Sequence, residues 1–330
     1  MPYGDLELQA VQRFASEDDL AANKCTIEER EEYEPYVSMG MCIYAGVDFL
    51  QILAMAEEDE NPDVILWDGG NNDVPFFQPD LWVCVCDPYR PGHEATHFPG
   101  GVNFDRADVL LINKVGTGPK GGVRLILQAA HERNPAARVV LCKSPPVLVR
   151  EEPVSTIAHN DGRFLEVRPD LLVRGKRVLC VEDGPSVTHG GLERGAATIA
   201  ALDNGASELV DPRATVVGSL RATFDAYGDH LGACLPAMGY SDEQVADLKA
   251  TIDATPCDVV LAGTPIDLKH VLHGCNKPIV RVKYEVADVT NEEAEALRAF
   301  PPADQSIAAL RDVLRDFAKH VHLAQAGKER

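Results

Sequence analysis

The chain has 330 residues, 45% of them apolar, and a formal net charge of −21 from 52 acids against 31 bases. That length suits one large or two medium α/β domains, and the ordinary apolar content argues against global disorder. The acidic balance argues against a nucleic-acid partner, which needs a cationic face, and no apolar run reaches the roughly 18 residues of a membrane span.

Residues 1–53 read as mostly helical and acidic, with Glu28-Glu29-Arg30-Glu31-Glu32-Tyr33-Glu34 before Pro35 as a solvated helix face and 46–56 as an amphipathic helix. Short apolar runs then alternate with helical patterns. Residues 63–67 predict a strand ending at Asp68, residues 81–86 one ending at Asp87-Pro88, and residues 109–112 one ending at Asn113-Lys114. A helix over 123–133 and a strand over 138–142 follow. Such runs predict a buried parallel sheet, whose ligands sit at the carboxyl ends of its strands.

Ser144-Pro145-Pro146 and Glu151-Glu152-Pro153 mark a linker over 146–175, dividing a domain at 1–145 from one at 176–330. In the second, strands are expected at 176–181, 216–219, 258–262 and 278–282. Helices are expected at 195–204, after Ser241 as N-cap, and at 305–323.

The motifs carry most of the functional signal. Asp68-Gly69-Gly70 has the form of a Walker B strand end, where an acid faces Mg²⁺ and small residues let phosphate approach backbone N–H groups; an acidic turn has the same letters. Asn113-Lys114-Val115-Gly116 has the form of a GTPase base-reading strand end, but Gly116 stands where an acid would accept the guanine N–H donors. Asp87-Pro88-Tyr89-Arg90-Pro91-Gly92-His93-Glu94 sets a phosphate-matching guanidinium and a proton-carrying imidazole on a rigid loop. Glu182-Asp183-Gly184-Pro185-Ser186-Val187-Thr188-His189-Gly190-Gly191 concentrates acids, hydroxyls and a His at one strand end, and Asp211-Pro212-Arg213 offers another cation. Each loop also reads as an ordinary turn. No G-x-x-x-x-G-K-[ST] phosphate loop occurs anywhere in the chain.

The chain has 20 Arg and only 11 Lys, and an acidic, Lys-poor surface is expected of a protein working at high salt; an acidic protein of ordinary salt is the alternative. Nine Cys lack metal spacing. Cys84 and Cys86 share one side of a strand without a second pair or a His motif, so reduced thiols and a cytoplasmic location are expected.

Met1-Pro2-Tyr3-Gly4-Asp5-Leu6, Cys25-Thr26-Ile27-Glu28-Glu29-Arg30-Glu31-Glu32-Tyr33-Glu34, Trp67-Asp68-Gly69-Gly70-Asn71-Asn72-Asp73, Asp87-Pro88-Tyr89-Arg90-Pro91-Gly92-His93-Glu94, Glu182-Asp183-Gly184-Pro185 with Thr188-His189-Gly190, Leu235-Pro236-Ala237-Met238-Gly239-Tyr240 and Gly263-Thr264-Pro265-Ile266-Asp267-Leu268 together resemble the cyclic 2,3-diphosphoglycerate synthetase family and related P-loop GTPase-like proteins. The resemblance runs from Met1 to about Tyr284. It implies an α/β fold with a mostly parallel sheet of P-loop NTPase type, lacking its first strand and P-loop, followed by a second α/β region. It also implies a longer protein of which Met1 is an internal residue, and hence no nucleotide turnover by these 330 residues alone. The implied activity is an ATP-dependent ligase that closes a phosphoanhydride in 2,3-diphosphoglycerate. ATP or GTP and Mg²⁺ are expected, and K⁺ is possible; a homo-oligomer is also possible. The expected nucleotide residues are Asp68, Gly69, Gly70, Asn113 and Lys114, with Asp68 holding the metal. Arg90, His93, Asp183, Thr188, His189 and Arg213 are expected at substrate phosphates, with Asp68, His93 and His189 catalytic. The alternatives are a regulatory or metallochaperone-like GTPase switch and a non-catalytic remnant.

Overall fold

A computed structural model describes residues 6–7, 9–59, 62–70, 72–149, 156–158, 164–166, 169–239, 241–298 and 307–328. Part of the linker expected over 146–175 lies outside them. The protein is a mixed α/β structure with mostly parallel sheets, as expected. Contacts divide it into two compact units of discontinuous chain, Met1–Asn61 with Pro146–Tyr284, and Pro62–Pro145 with Glu285–Arg330.

In the first unit the central strand is Arg177–Asp183. Val259–Gly263 pairs with it in parallel on one side, followed by Ile279–Tyr284 and an antiparallel edge, Pro146–Leu148. On its other side Glu208–Leu209 and Cys234–Ala237 pair in succession, at residues 177–178 and 180–183. Both faces of this sheet are covered. Leu179 and Val181 pack into one cluster with Leu235, Val260 and Ala262, and Val178 and Cys180 into another with Ala197, Ala200 and Leu261. That is why residues 178–181 form an unbroken apolar run instead of an alternating one. Each such side chain, fully buried, contributes roughly 1.5–3 kcal/mol.

The helix Ile27–Ser38 docks on this unit. Thr26 caps it in a full capping box with Glu29, and the Ile27 N–H donates to the Gly239 carbonyl at 3.2 Å. The run from Glu28 to Glu34 is therefore not a solvated face: Glu34 is 3% exposed and Glu31 is half-buried, both facing protein. The mostly helical reading of residues 1–53 also gives way to a short antiparallel pair, Gln12–Phe14 with Ile43–Ala45.

The second unit is built on Val83–Cys86, Val109–Ile112 and Arg138–Lys143, adjacent and parallel in that order. Ala287–Asp288 and Ile307–Ala308 pair with Arg138–Lys143, so the C-terminal segment returns to this unit. Helix Lys120–Arg133 buries Val123, Ile126 and Leu127 against Leu110, Ile112 and Leu141. On the other face Val313, from helix Leu310–Lys328, packs on Val109, Leu111 and Val140.

Among the described residues two expected strands are absent. Residues 63–67 pair with no strand among the described residues, and Val64, Ile65 and Leu66 are 57%, 38% and 70% exposed. Strand identity comes from a neighbour's ladder of hydrogen bonds, and apolar composition alone does not provide one. Residues 216–219 instead turn into helix Ser219–Tyr227. Gly218 sits at φ 54°, and the Asp247 carboxylate accepts from the Ser219 N–H at 2.7 Å and its hydroxyl at 2.8 Å. Conversely, Cys234–Ala237 is a fully buried strand that Pro236 conceals in the sequence.

Candidate functional site

In the second unit three adjacent parallel strands end together. Asp87 follows Val83–Cys86, Asn113 follows Val109–Ile112, and Ser144 follows Arg138–Lys143. The Lys114 ammonium lies 3.0 Å from the Asp87 carboxylate, and Arg90 approaches the same oxygen at 3.3 Å. Burial opposes ionisation of Asp87, but the Tyr89 N–H and the Lys114 and Arg90 cations outweigh it and hold the carboxyl below its usual range. The Asn113 side-chain oxygen accepts from the Lys114 N–H at 2.8 Å and the Ser144 hydroxyl at 2.9 Å. Its amide nitrogen is thereby oriented as a donor. Lys114 adopts φ 54°, uncommon for a residue with a side chain, and its ammonium lies 6.0 Å from the centre of the Tyr89 ring.

The structure thus brings Asn113, Lys114 and Arg90 together around Asp87, a strand-end acid not among the expected site residues. Asp68, Gly69 and Gly70 are exposed and lead into a turn from Gly70 to Asp73, where the Gly70 N–H faces the Asp73 carboxylate at 3.3 Å. Asn103 donates to the Asp73 carbonyl at 2.7 Å and ties this turn to helix Gly100–Arg106. His93 is exposed, its ring 4.2 Å from that of His97.

The remaining expected residues belong to the first unit. Asp183 ends the central strand and accepts from the Ser186 hydroxyl. The Thr188 hydroxyl donates to the Gly184 carbonyl at 2.7 Å and is buried. His189 is exposed and hydrogen-bonded to the Tyr227 hydroxyl at 2.9 Å. Arg213 pairs with Asp211 at 2.6 Å and donates to the carbonyls of Gly228 at 3.1 Å and Leu231 at 2.7 Å. Those bonds give it a structural role in this unit. Arg213→Ala is therefore expected to lower the thermal midpoint, by about 1–3 kcal/mol of stability for the lost bonds from a charged donor, with ligand affinity unchanged; a melting curve read beside a binding isotherm checks this.

The same edge holds groups that were not among the expected site residues. The Thr264 hydroxyl, just after strand Val259–Gly263, donates to the Glu31 carboxyl at 2.7 Å, and the Asp267 N–H donates to Glu34 at 2.8 Å. Glu31 also hydrogen-bonds Asp183. Burial, then the Asp183 charge, push the Glu31 carboxyl up to about 9. Four of the motif stretches converge here: the acidic helix, the loop after Glu182, Gly239, and the loop after Gly263. Glu31 lies in a run of acids, whose pattern resembles a solvated helix face. Neighbouring Glu182, fully buried, accepts from the N–H groups of Ala197 and Thr198 at 3.0 and 2.8 Å and from the Thr198 hydroxyl at 2.6 Å.

No protein-family model matches the chain. Over 289 residues it is 48% identical to a protein named arginine synthetase ArcE from Thermococcus kodakarensis, an alignment covering 88% of this chain and 59% of that protein. The chain thus spans about three-fifths of the curated relative it matches. Across the aligned region the chain belongs with that relative in the cyclic 2,3-diphosphoglycerate synthetase family, the resemblance carried by its motifs. A solved structure of LpxK from Aquifex aeolicus, described as an "apo" form in complex with ATP, is similar at 14% identity and a TM-score of 0.43, covering 89% of this chain and 75% of that one. A likeness that low carries no argument. Among the described residues no helix is long and apolar enough to cross a membrane.

Proposed function

We propose that this chain carries the greater part of a nucleotide-dependent synthetase, with a nucleotide at the carboxyl edge of the second unit's sheet and an acceptor at that of the first. The observation that supports it best is the Asp87–Lys114–Asn113–Ser144 constellation, set on the ends of three adjacent parallel strands where α/β sheets take ligands. Asn113 presents an oriented donor for a base, and Lys114 can shift from Asp87 toward a ring or a phosphate. ATP or GTP is the nucleotide class. Asp68 and Asp73, in one turn, are the hard oxygen donors that Mg²⁺ takes. Bound Mg²⁺ would neutralise phosphate charge, and K⁺ would add to that. The chemistry is phosphoryl transfer, governed by positioning and charge neutralisation.

The relative's name points to arginine, and the first unit's electrostatics favour a nitrogenous cation over a polyanion. Glu31 and Asp183 crowd its carboxyl edge, while Arg213 is engaged by Asp211 and backbone carbonyls. A second reading keeps 2,3-diphosphoglycerate, in whose favour stand Arg90 and His93 on the loop after Val83–Cys86. Calorimetric titration with MgATP and MgGTP tests the nucleotide site. Lys114→Ala should weaken binding by about tenfold or more, the equivalent of one hydrogen bond to a charged group. Unchanged binding would remove the constellation from the site.

A further inference from the structure

Asn113 is held by more than its place at a strand end. Its N–H donates to the Cys86 carbonyl at 3.1 Å, and the Val115 N–H donates to that of Cys142 at 3.0 Å, so the turn is stitched to the ends of both neighbouring strands. Its side-chain oxygen accepts from the Lys114 N–H at 2.8 Å and from the Ser144 hydroxyl at 2.9 Å. A backbone N–H can only donate, so the atom facing it is the amide oxygen and the orientation of the side chain is fixed. A carbonyl oxygen has two lone pairs, and these two bonds use both. Among the described residues nothing accepts from the Asn113 amide nitrogen.

The side-chain acceptors beside it are engaged as well. Asp87 spends one oxygen on the Tyr89 N–H at 3.0 Å and the other on Lys114 and Arg90. Gly116 carries no side chain, and a Cβ there would lie 3.1 Å from the aliphatic stem of Lys143. Glu293 pairs with the Lys143 ammonium at 2.9 Å and accepts from the Thr290 N–H at 2.8 Å. Telling one purine from the other requires an acceptor. Adenine is marked by its N6–H donor, which a paired asparagine reads with its oxygen, and guanine by its N2–H donor. N7 is an acceptor on both bases and needs only a donor, which is what Asn113 has left to offer.

We propose, resting on the nucleotide site argued above, that Asn113 reads N7 of a purine and that Ser144 is the positioning residue that confines it to donating. The site therefore takes adenine and guanine nucleotides alike and disfavours pyrimidines, which have no N7. Guanine O6, the acceptor next to N7, adds at most one further bond from the same amide. Ser144 thus sets base selectivity without touching the base, by occupying the lone pair that adenine N6–H would otherwise use.

The test is titration calorimetry of the 330-residue chain with the Mg²⁺ complexes of ATP, GTP, CTP and 7-deaza-ATP, in which a C–H replaces N7. ATP and GTP should bind within about tenfold of each other, and 7-deaza-ATP and CTP about three- to tenfold more weakly than ATP, the worth of one hydrogen bond. Ser144→Ala returns a lone pair to the Asn113 oxygen, so the ratio of ATP to GTP affinity should rise by about threefold. Ser144→Thr keeps the hydroxyl and should keep the parent ratio. A merely structural role for Ser144 would weaken both nucleotides together and leave that ratio alone, which overturns its assignment. Binding of 7-deaza-ATP as tight as that of ATP overturns the reading of N7, as does a preference for either purine beyond about a hundredfold, more than one bond supplies. Equal binding of ATP, 7-deaza-ATP and CTP defeats this inference and leaves the nucleotide site standing. Absence of binding by all of them defeats that site as well.

Discussion

Glu31→Gln should make the protein more stable at neutral pH, by on the order of 3 kcal/mol at pH 7. The reason is a difference in proton binding. In the folded chain the Glu31 carboxyl is raised from its ordinary 4.5 to about 9, so between those values the folded state holds a proton that the unfolded state has lost. Stability attributable to this group is fully present below 4.5. It declines as pH climbs toward 9, and there it levels off. Glutamine has no proton to lose, so the variant's advantage should be near zero at pH 4, grow steadily through neutrality and flatten above 9. Urea unfolding of both proteins at a series of pH values reads this directly. A variant no more stable than the parent at pH 7 would mean that Glu31 is ionised in the fold and that a cation already compensates it. Destabilised groups of this kind are the usual cost of a preorganised site.

Glu182→Gln should act in the opposite direction and lower stability by about 2–4 kcal/mol. The Glu182 carboxylate is fully buried and accepts from two backbone N–H groups and a hydroxyl at the start of helix Ala196–Asp203. Burial raises its carboxyl on balance, and the bonds from Thr198 and Ala197 offset that only in part. An amide puts an N–H against at least one of those donors. There is no room to turn away: a Cβ at Gly195 would meet the Glu182 carboxylate oxygen at 2.5 Å. The loss should appear as a lower urea midpoint with an unchanged slope, since the surface exposed on unfolding is the same. A midpoint within experimental error of the parent would show that the helix start is held by other contacts.

Much of the architecture could be read from the chain. The runs at 109–112, 138–142, 176–181 and 258–262 are strands because they are apolar on both sides, the pattern of a sheet covered on two faces. Ser241 caps its helix by accepting from the Gln244 N–H at 3.3 Å, as its spacing suggested. The failures share a cause. Whether residues 63–67 form a strand depends on a neighbour, and what lies beside Glu31 depends on tertiary packing; a local pattern reports neither. The acidic helix followed the letter pattern of a solvated surface, yet Glu34 and Glu31 turn inward to bond Asp267 and Thr264, more than two hundred residues away in the chain. At the second unit's edge the sequence placed Asp87 at a strand end beside Asn113, but the role given to its loop went to Arg90 and His93, because that Asp87 gathers Lys114 depends on a contact between residues far apart in the chain.

The unpaired edge has its own consequence. Among the described residues Val83–Cys86 is the outer strand of its sheet, and Val85 is 65% exposed in it. Residues 64–66 of the same unit also hold apolar side chains in water. An open backbone edge with uncovered aliphatic groups is a template for sticking copies together, the hazard that chaperones and proteases police. A net charge of −21 works against that by repulsion between copies, which acts over distances that dissolved ions shorten. The charge that makes this surface look salt-adapted thus doubles as a safeguard against clumping, and salt itself weakens that safeguard.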